Sequence, residues 1–162
     1  MNVTIIGVGK IKEKYWLDAI AEYSKRLGRY VSLNLVQCQD EPTPDGASKA
    51  EEDKIRQKEA QRILAAIERC PSGSHVIALA IEGKMTDSVG MAEHIQKLSV
   101  QGVSSLVYVI GGSLGLDGSV LSRADELLSF SKLTFPHQMM RVILLEQIYR
   151  SFRIMRHEPY HK

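Results

Sequence analysis

The sequence has little with which to staple or anchor itself. Cys38 and Cys70 are the only cysteines among 162 residues. Two cysteines cannot build a disulfide framework, and these are not spaced as the CxxC of a metal or redox pair. They read as two small apolar side chains in a reducing compartment. No apolar run approaches the roughly 18 residues of a membrane-spanning helix. Met1-Asn2-Val3-Thr4 lacks the charged start and long apolar stretch of a secretory leader. The expected location is therefore cytoplasmic, with no membrane partner. Neither sign of charge dominates: 21 lysines and arginines face 19 aspartates and glutamates, a net charge of +2. Such a balance permits an RNA partner without requiring one, so where the charge sits matters more than its sum. Repeats and low-complexity segments are absent too, and a 44% hydrophobic fraction argues against global disorder.

What is present fits one domain over residues 1–162, since about 150 residues make a typical domain. A chain of this length buries roughly 68–70% of its unfolded surface. Val3 to Val8 is a short β-branched run closed by Gly7 and Gly9, which predicts a buried strand. Glu13 to Leu27 carries apolar residues at helical spacing and stops at Gly28. Val31 to Cys38 reads as a second strand, and Asp40 to Ala47, with Pro42, Pro44 and Gly46, as a loop. Ser48 and Glu51 have capping-box spacing and open a helix to about Arg69. Its charges, such as Glu52 and Arg56, read as a solvated face.

His75 to Ile81 is a third strand ending in a Glu82-Gly83-Lys84 loop, Asp87 to Leu98 a helix, and Ser104 to Ile110 a fourth strand. Asp117 caps a short helix towards Leu127, and Leu128 to Phe130 makes a last strand. Pro136 occupies the first turn of a long helix reaching about Arg156. This alternation predicts an α/β fold with a largely parallel sheet flanked by helices. Ligands then bind beyond the carboxyl ends of the strands. Three strand ends there are unusual: Glu82-Gly83-Lys84, Gly111-Gly112-Ser113 and Ser129 to Pro136.

Each motif has competing readings. Ile110 to Gly115 offers glycines that let a ligand approach the backbone. It also satisfies GxSxG, with Ser113 as nucleophile and Asp125 and His137 as partners. Leu116-Asp117-Gly118 follows where that elbow requires an immediate helix, so a serine hydrolase is the weaker reading. Gly7-Val8-Gly9-Lys10 is no phosphate loop, because Thr4 replaces the first glycine and Ile11 the final Ser/Thr. The five histidines, His75, His94, His137, His157 and His161, lack metal-site spacing, and no metal is expected. The last helix is apolar on more than one side, from Met139 and Met140 through Ile143 to Phe152. One core needs one stripe, so this helix is either central or shared with a second subunit. Arg150, Arg153 and Arg156 with Tyr160, His161 and Lys162 form a basic, aromatic edge suited to RNA phosphate and a splayed base.

Ile110-Gly111-Gly112 with Gly115, the Leu128 to His137 segment, Arg141-Val142, Glu146-Gln147, Tyr149-Arg150 and terminal Tyr160-His161-Lys162 resemble the RlmH type of SPOUT methyltransferase. Val8-Gly9-Lys10 and Glu82-Gly83-Lys84 fit as well, and the resemblance spans the chain. It implies an S-adenosyl-L-methionine-dependent enzyme that methylates N3 of a pseudouridine in large-subunit (23S) ribosomal RNA. It further implies a SPOUT-type α/β fold with a C-terminal trefoil knot and a homodimer acting on the ribosome. Connection rules alone argue against threading, since knots are nearly absent from proteins. Carried over by position, cofactor binding falls on Leu79, Gly111, Gly112, Phe130, Ser131, Lys132, Leu133, Thr134 and Phe135. The catalytic and substrate side falls on His137, Arg150, Tyr160 and His161. A non-catalytic ribosome-binding module with the same basic edge is the competing class.

Overall fold

The computed structural model describes residues 1–162. Its elements are β1 (Asn2–Val8), α1 (Lys14–Leu27), β2 (Ser32–Cys38), α2 (Lys49–Glu68) and β3 (His75–Met85), then α3 (Ser88–Val100), β4 (Ser105–Ile110), α4 (Gly118–Arg123), β5 (Glu126–Ser129) and α5 (His137–Met155). The five strands form one parallel sheet in the order β2-β1-β4-β3-β5. Every residue of β4 is buried, as a central parallel strand covered on both faces requires.

Side-chain alternation divides the core in two. Val3, Ile5, Leu106, Tyr108 and Ile110 face one side, where α1, α3 and α5 supply Leu27, Ile95, Leu144, Leu145 and Ile148. Ile6, Val8, Val107 and Val109 face the other, against Ile63, Ile67 and Val120 of α2 and α4. The capping box is in place: Glu51 N–H donates to Ser48 Oγ over 3.2 Å, and Ser48 N–H to Glu51 Oε2 over 2.7 Å. Cys38 is buried and Cys70 partly so, both unpaired, and burial raises both thiols above their usual range.

Three expectations need correction. Glu82-Gly83-Lys84 is not a loop at a strand end but part of β3, which runs on to Met85. The strand bulges there, so that both Leu79 and Lys84 stand opposite Leu128 of β5. Gly83 permits this, because a Cβ on it would lie 2.7 Å from the carbonyl carbon of Leu127. The short helix ends at Arg123 and the edge strand starts at Glu126, earlier than the apolar pattern predicts. Pro136 is the N-cap of α5 with ψ 134°, not a first-turn residue, and its carbonyl accepts from Met140 N–H over 3.0 Å.

The start of α5 is locked to the end of β1. The buried Arg141 side chain donates through Nη2 to the carbonyls of Val8 (2.7 Å) and Gly9 (2.6 Å). Gly7 makes the room, since a Cβ there would approach Arg141 Nε to 2.5 Å. Gly7→Ala is expected to lower stability by about 1–3 kcal/mol, as overpacking does. Urea denaturation checks this, and an unchanged midpoint would show that Arg141 moves aside freely.

Candidate active site

The carboxyl ends of β3, β4 and β5 open into a cavity of about 760 Å³. That lies within the roughly 300–1,000 Å³ range of ligand pockets. Leu79 to Glu82 form one wall and Ile110 to Leu116 a second. Residues 128–137, without Lys132, form the third, and Met140 of α5 closes the end. Leu79, Gly111, Gly112, Phe130, Ser131, Leu133, Thr134, Phe135 and His137 thus meet at one place, whereas Lys132 points into solvent.

The segment after β5 is poor in internal hydrogen bonds. Ser129 Oγ donates to Ser131 O over 3.1 Å, and Leu133 N–H donates to Ser131 Oγ over 3.0 Å. Residues 131–135 exchange no backbone–backbone hydrogen bonds. Backbone groups left open on a cavity wall offer a planar heterocycle both donors and acceptors.

The glycine turn has a different logic from the one its sequence suggests. Gly112 and Gly115 bridge each other, and Gly115 sits at φ +79°, where a side chain would be strained. A Cβ on Gly111 would stand 2.9 Å from the Gly115 carbonyl carbon, so Gly111 lets the turn fold on itself. One on Gly112 would meet Glu59 Oε2 and Val8 Cγ1 at 3.1 and 3.2 Å, on the side of the sheet core. Ser113 lies inside this turn, and α4 starts only at Gly118. Asp125 accepts from Val76 N–H over 2.7 Å, which ties it to the sheet. The elbow, its aspartate and hence the hydrolase reading are set aside.

Glu59, buried beneath Gly112, accepts from Glu41 N–H over 3.1 Å. Burial pushes its carboxyl above the usual range; that hydrogen bond pulls it partly back, and Asp40 pushes it up again. The folded chain therefore binds this proton more tightly than the unfolded one, and stability is lost as pH rises through the raised value. Glu59→Gln is expected to remove that loss and to be at least as stable as the parent at about pH 8. Urea midpoints from about pH 4 to 8 decide it; parallel curves would show that Glu59 does not titrate differently on folding.

At the cavity end, burial lowers the His137 imidazole and the nearby Arg141 cation lowers it further, against Asp40 and Glu13. Both effects favour the neutral imidazole, which makes His137 a weaker base than a free histidine.

The tail residues form a separate cluster on α5. Arg150 Nε donates to Glu146 Oε1 over 3.0 Å, and Tyr160 O–H donates to the same oxygen over 3.0 Å. The Arg150 guanidinium lies 4.7 Å from the Tyr160 ring centre, and Tyr149 packs edge-on against Tyr160 at 4.9 Å. Arg150 Nη1 reaches His161 Nδ1 at a long 3.3 Å. Burial and the bonds to Tyr23 and Glu146 push the Tyr160 phenol up, so it donates rather than accepts. Glu146, which organises the cluster, is absent from the predicted site; its sequence signals are its place among the residues that carry the resemblance and the i, i+4 pairing with Arg150. None of Arg150, Tyr160 and His161 lines the cavity. Arg150 is 13 residues beyond His137, about 20 Å along the helix at 1.5 Å per residue.

Comparison with known proteins places the chain in a family. A profile described as "Predicted SPOUT methyltransferase" matches residues 1–161. A Bifidobacterium adolescentis protein described as ribosomal RNA large subunit methyltransferase H is 57% identical over 162 residues, all of both chains. A Clostridium kluyveri protein with the same description is 52% identical, again over the whole of both. The solved structure of a probable methylase family protein from Haemophilus influenzae Rd KW20 superposes with TM-score 0.56 at 13% identity. It covers 99% of this chain and 70% of its own, and shares the fold. End-to-end similarity of this degree, over a chain whose strand ends close on one cavity, makes the protein a member of the SPOUT methyltransferase family.

Proposed function

We propose that the chain transfers a methyl group from S-adenosylmethionine to large-subunit ribosomal RNA, as a homodimer whose two chains share each active site. The relatives' description supports the RNA class, and the resemblance in sequence points to N3 of a pseudouridine. The observation that carries the proposal is the cavity at the strand ends, walled in part by Ser131, Leu133, Thr134 and Phe135, whose backbone groups exchange no backbone–backbone hydrogen bonds. Bound there, S-adenosylmethionine supplies a sulfonium methyl for in-line displacement, in which a protein contributes mainly proximity and orientation. Leu79 and Phe130 give apolar contact, and the backbone of Ser131 to Phe135 takes the adenine edge. The C-terminal segment crosses from the β5 edge to β1, where Arg141 is held. The threaded connection belongs to this proposal on the strength of the resemblance alone.

The acceptor nitrogen is an imide that carries a proton at neutral pH. His161 takes that proton once its Nδ1 exchanges the 3.3 Å contact with Arg150 for one with the nucleotide. A positioned base of this kind contributes about 10²–10⁴-fold. Arg150, held by Glu146, faces the imide oxygens as charge develops. His137, neutral at the cavity end, orients the ring from the other side.

Two copies are called for because Arg150, which holds the tail, lies about 15 Å along α5 beyond Met140 at the cavity end. The half-buried Met139, Val142 and Ile143 offer an apolar flank of α5 that the chain's own core leaves open. Light scattering is expected to give twice the 18.1 kDa chain mass at micromolar concentration. A stable single chain there would remove the shared site. The decisive experiment is mass spectrometry of ribosomal RNA from a deletion strain: one methyl mark should vanish and return with the gene. An unchanged RNA in a strain lacking the protein would leave a binding module as the better description.

A further inference from the structure

At the opposite, amino-terminal end of the strands stands a cluster that the methyl-transfer reading does not use. His75 is the first residue of β3, Glu126 the first of β5, and His94 lies on α3. Sheet pairing places Glu126 opposite Ile77, so by alternation His75, Ile77 and Glu126 share the face that α3 covers. Both histidines direct Nε2 at one carboxylate oxygen, Glu126 Oε1, at 2.9 Å from His75 and 2.7 Å from His94. The rings meet at 66° rather than stacking, and the three donor atoms lie within 4.8 Å of one another. Glu126 has no lysine or arginine partner; its ion-pair contacts are these two imidazoles. Sequence spacing hid the group, because His94 and His75 are 32 and 51 residues from Glu126.

We infer that His75, His94 and Glu126 bind a divalent transition-metal ion, zinc above all, which clips the edge strand β5 to β3 and α3. Two neutral imidazoles and a carboxylate suit zinc, cobalt, nickel or copper(II) rather than magnesium or calcium, which take all-oxygen shells. Metal–ligand distances of about 2.0–2.2 Å in a tetrahedral site set donor atoms about 3.3 Å apart. The two histidine–glutamate contacts need to open by about half an ångström, and the two Nε2 atoms, no more than 4.8 Å apart, to settle at the same separation. All three side chains are partly exposed, which gives the ion an entry path and leaves its fourth position to water. The cavity of the candidate active site is not lined by these residues, and the role assigned to the ion is structural. β5 spans four residues and pairs with β3 alone, across a bulge, and it leads directly into the 130–136 segment. A metal at its first residue fixes the register of this edge strand at the point where it enters the sheet.

The test uses tag-free, chelator-stripped protein titrated with zinc sulfate by calorimetry, and with cobalt(II) followed by visible absorption. One zinc per chain, a rise in thermal midpoint and the intense bands of four-coordinate cobalt are expected. His94→Ala, at a partly exposed position of α3, and His75→Gln are each expected to weaken zinc by about 100-fold or more and to abolish the bands. Disturbing even an outer partner of a metal site costs about 10–100-fold. Circular dichroism confirms which variants fold, and either one suffices. Absence of stoichiometric binding in the parent, or binding that survives in a folded variant, overturns the assignment. The inference does not depend on the methyl-transfer reading, and S-adenosylmethionine binding by zinc-free protein is measured separately.

Discussion

Removing Tyr160 to Lys162 is expected to leave S-adenosylmethionine affinity nearly unchanged while lowering methyl transfer by at least ~10²-fold, the low end for loss of a general base. The separation of tail and cavity along α5 is the reason: the cofactor's walls do not include the tail. Deletion also removes Tyr160 from its packing on Tyr149 and its bond to Glu146, so His161→Ala is the cleaner variant. It should reproduce most of the rate loss with the fold untouched. Arg150→Ala should in addition weaken RNA binding and flatten its dependence on salt, because a phosphate or imide contact is lost. Subunit exchange then tests the shared site. A tail-deleted chain mixed with a cavity-defective Gly111→Val chain forms heterodimers carrying one intact cavity and one intact tail, from opposite chains, and activity should return. Verified exchange without recovery would confine each tail to its own chain.

Gly111→Val carries the second large effect. A Cβ at this position runs into the Gly115 carbonyl carbon at 2.9 Å, and a branched side chain must push the turn outwards. The displaced backbone then occupies the cavity wall between Ile110 and Leu116. A shift of about 1 Å can cost about 10²-fold in rate, and calorimetry should find binding of S-adenosylmethionine lost. Gly112→Val is the contrasting variant. Its side chain presses on Glu59 and Val8, away from the ligand, and should act first on stability, by about 1–3 kcal/mol. If Gly111→Val binds the cofactor as the parent does, the turn is not part of the cofactor site.

Much of the architecture was legible because the signals were local. Val3 to Val8 and Ser104 to Ile110 are β-branched runs closed by glycine, and the capping residues Ser48, Asp87 and Asp117 mark helix starts that the structure keeps. The continuation of β3 through Gly83 was not, because that glycine serves a close backbone approach to Leu127 rather than a turn. No pattern within either strand reports a contact made between them. The same limit applies to the sites. Residues 128–137 form a contiguous wall and could be read as one segment. Glu146 draws its importance from Tyr160, 14 residues away, and the His75, His94 and Glu126 cluster from three separate elements. Such groups become visible only when the chain is closed.

The lock between Arg141 and the end of β1 has a consequence in time. β1 is synthesised well before α5, yet each completes the other. Until α5 emerges, the face of the sheet carrying Val3, Ile5, Leu106 and Tyr108 lacks Leu144, Leu145 and Ile148 against it. The gap at Gly7 and the carbonyls of Val8 and Gly9 have no guanidinium to receive. A nascent chain halted before residue 137 therefore exposes a broad apolar surface and stays open to proteases, whatever local helices it has formed. Folding of this sheet face is completed only when α5 is free of the ribosome that made it.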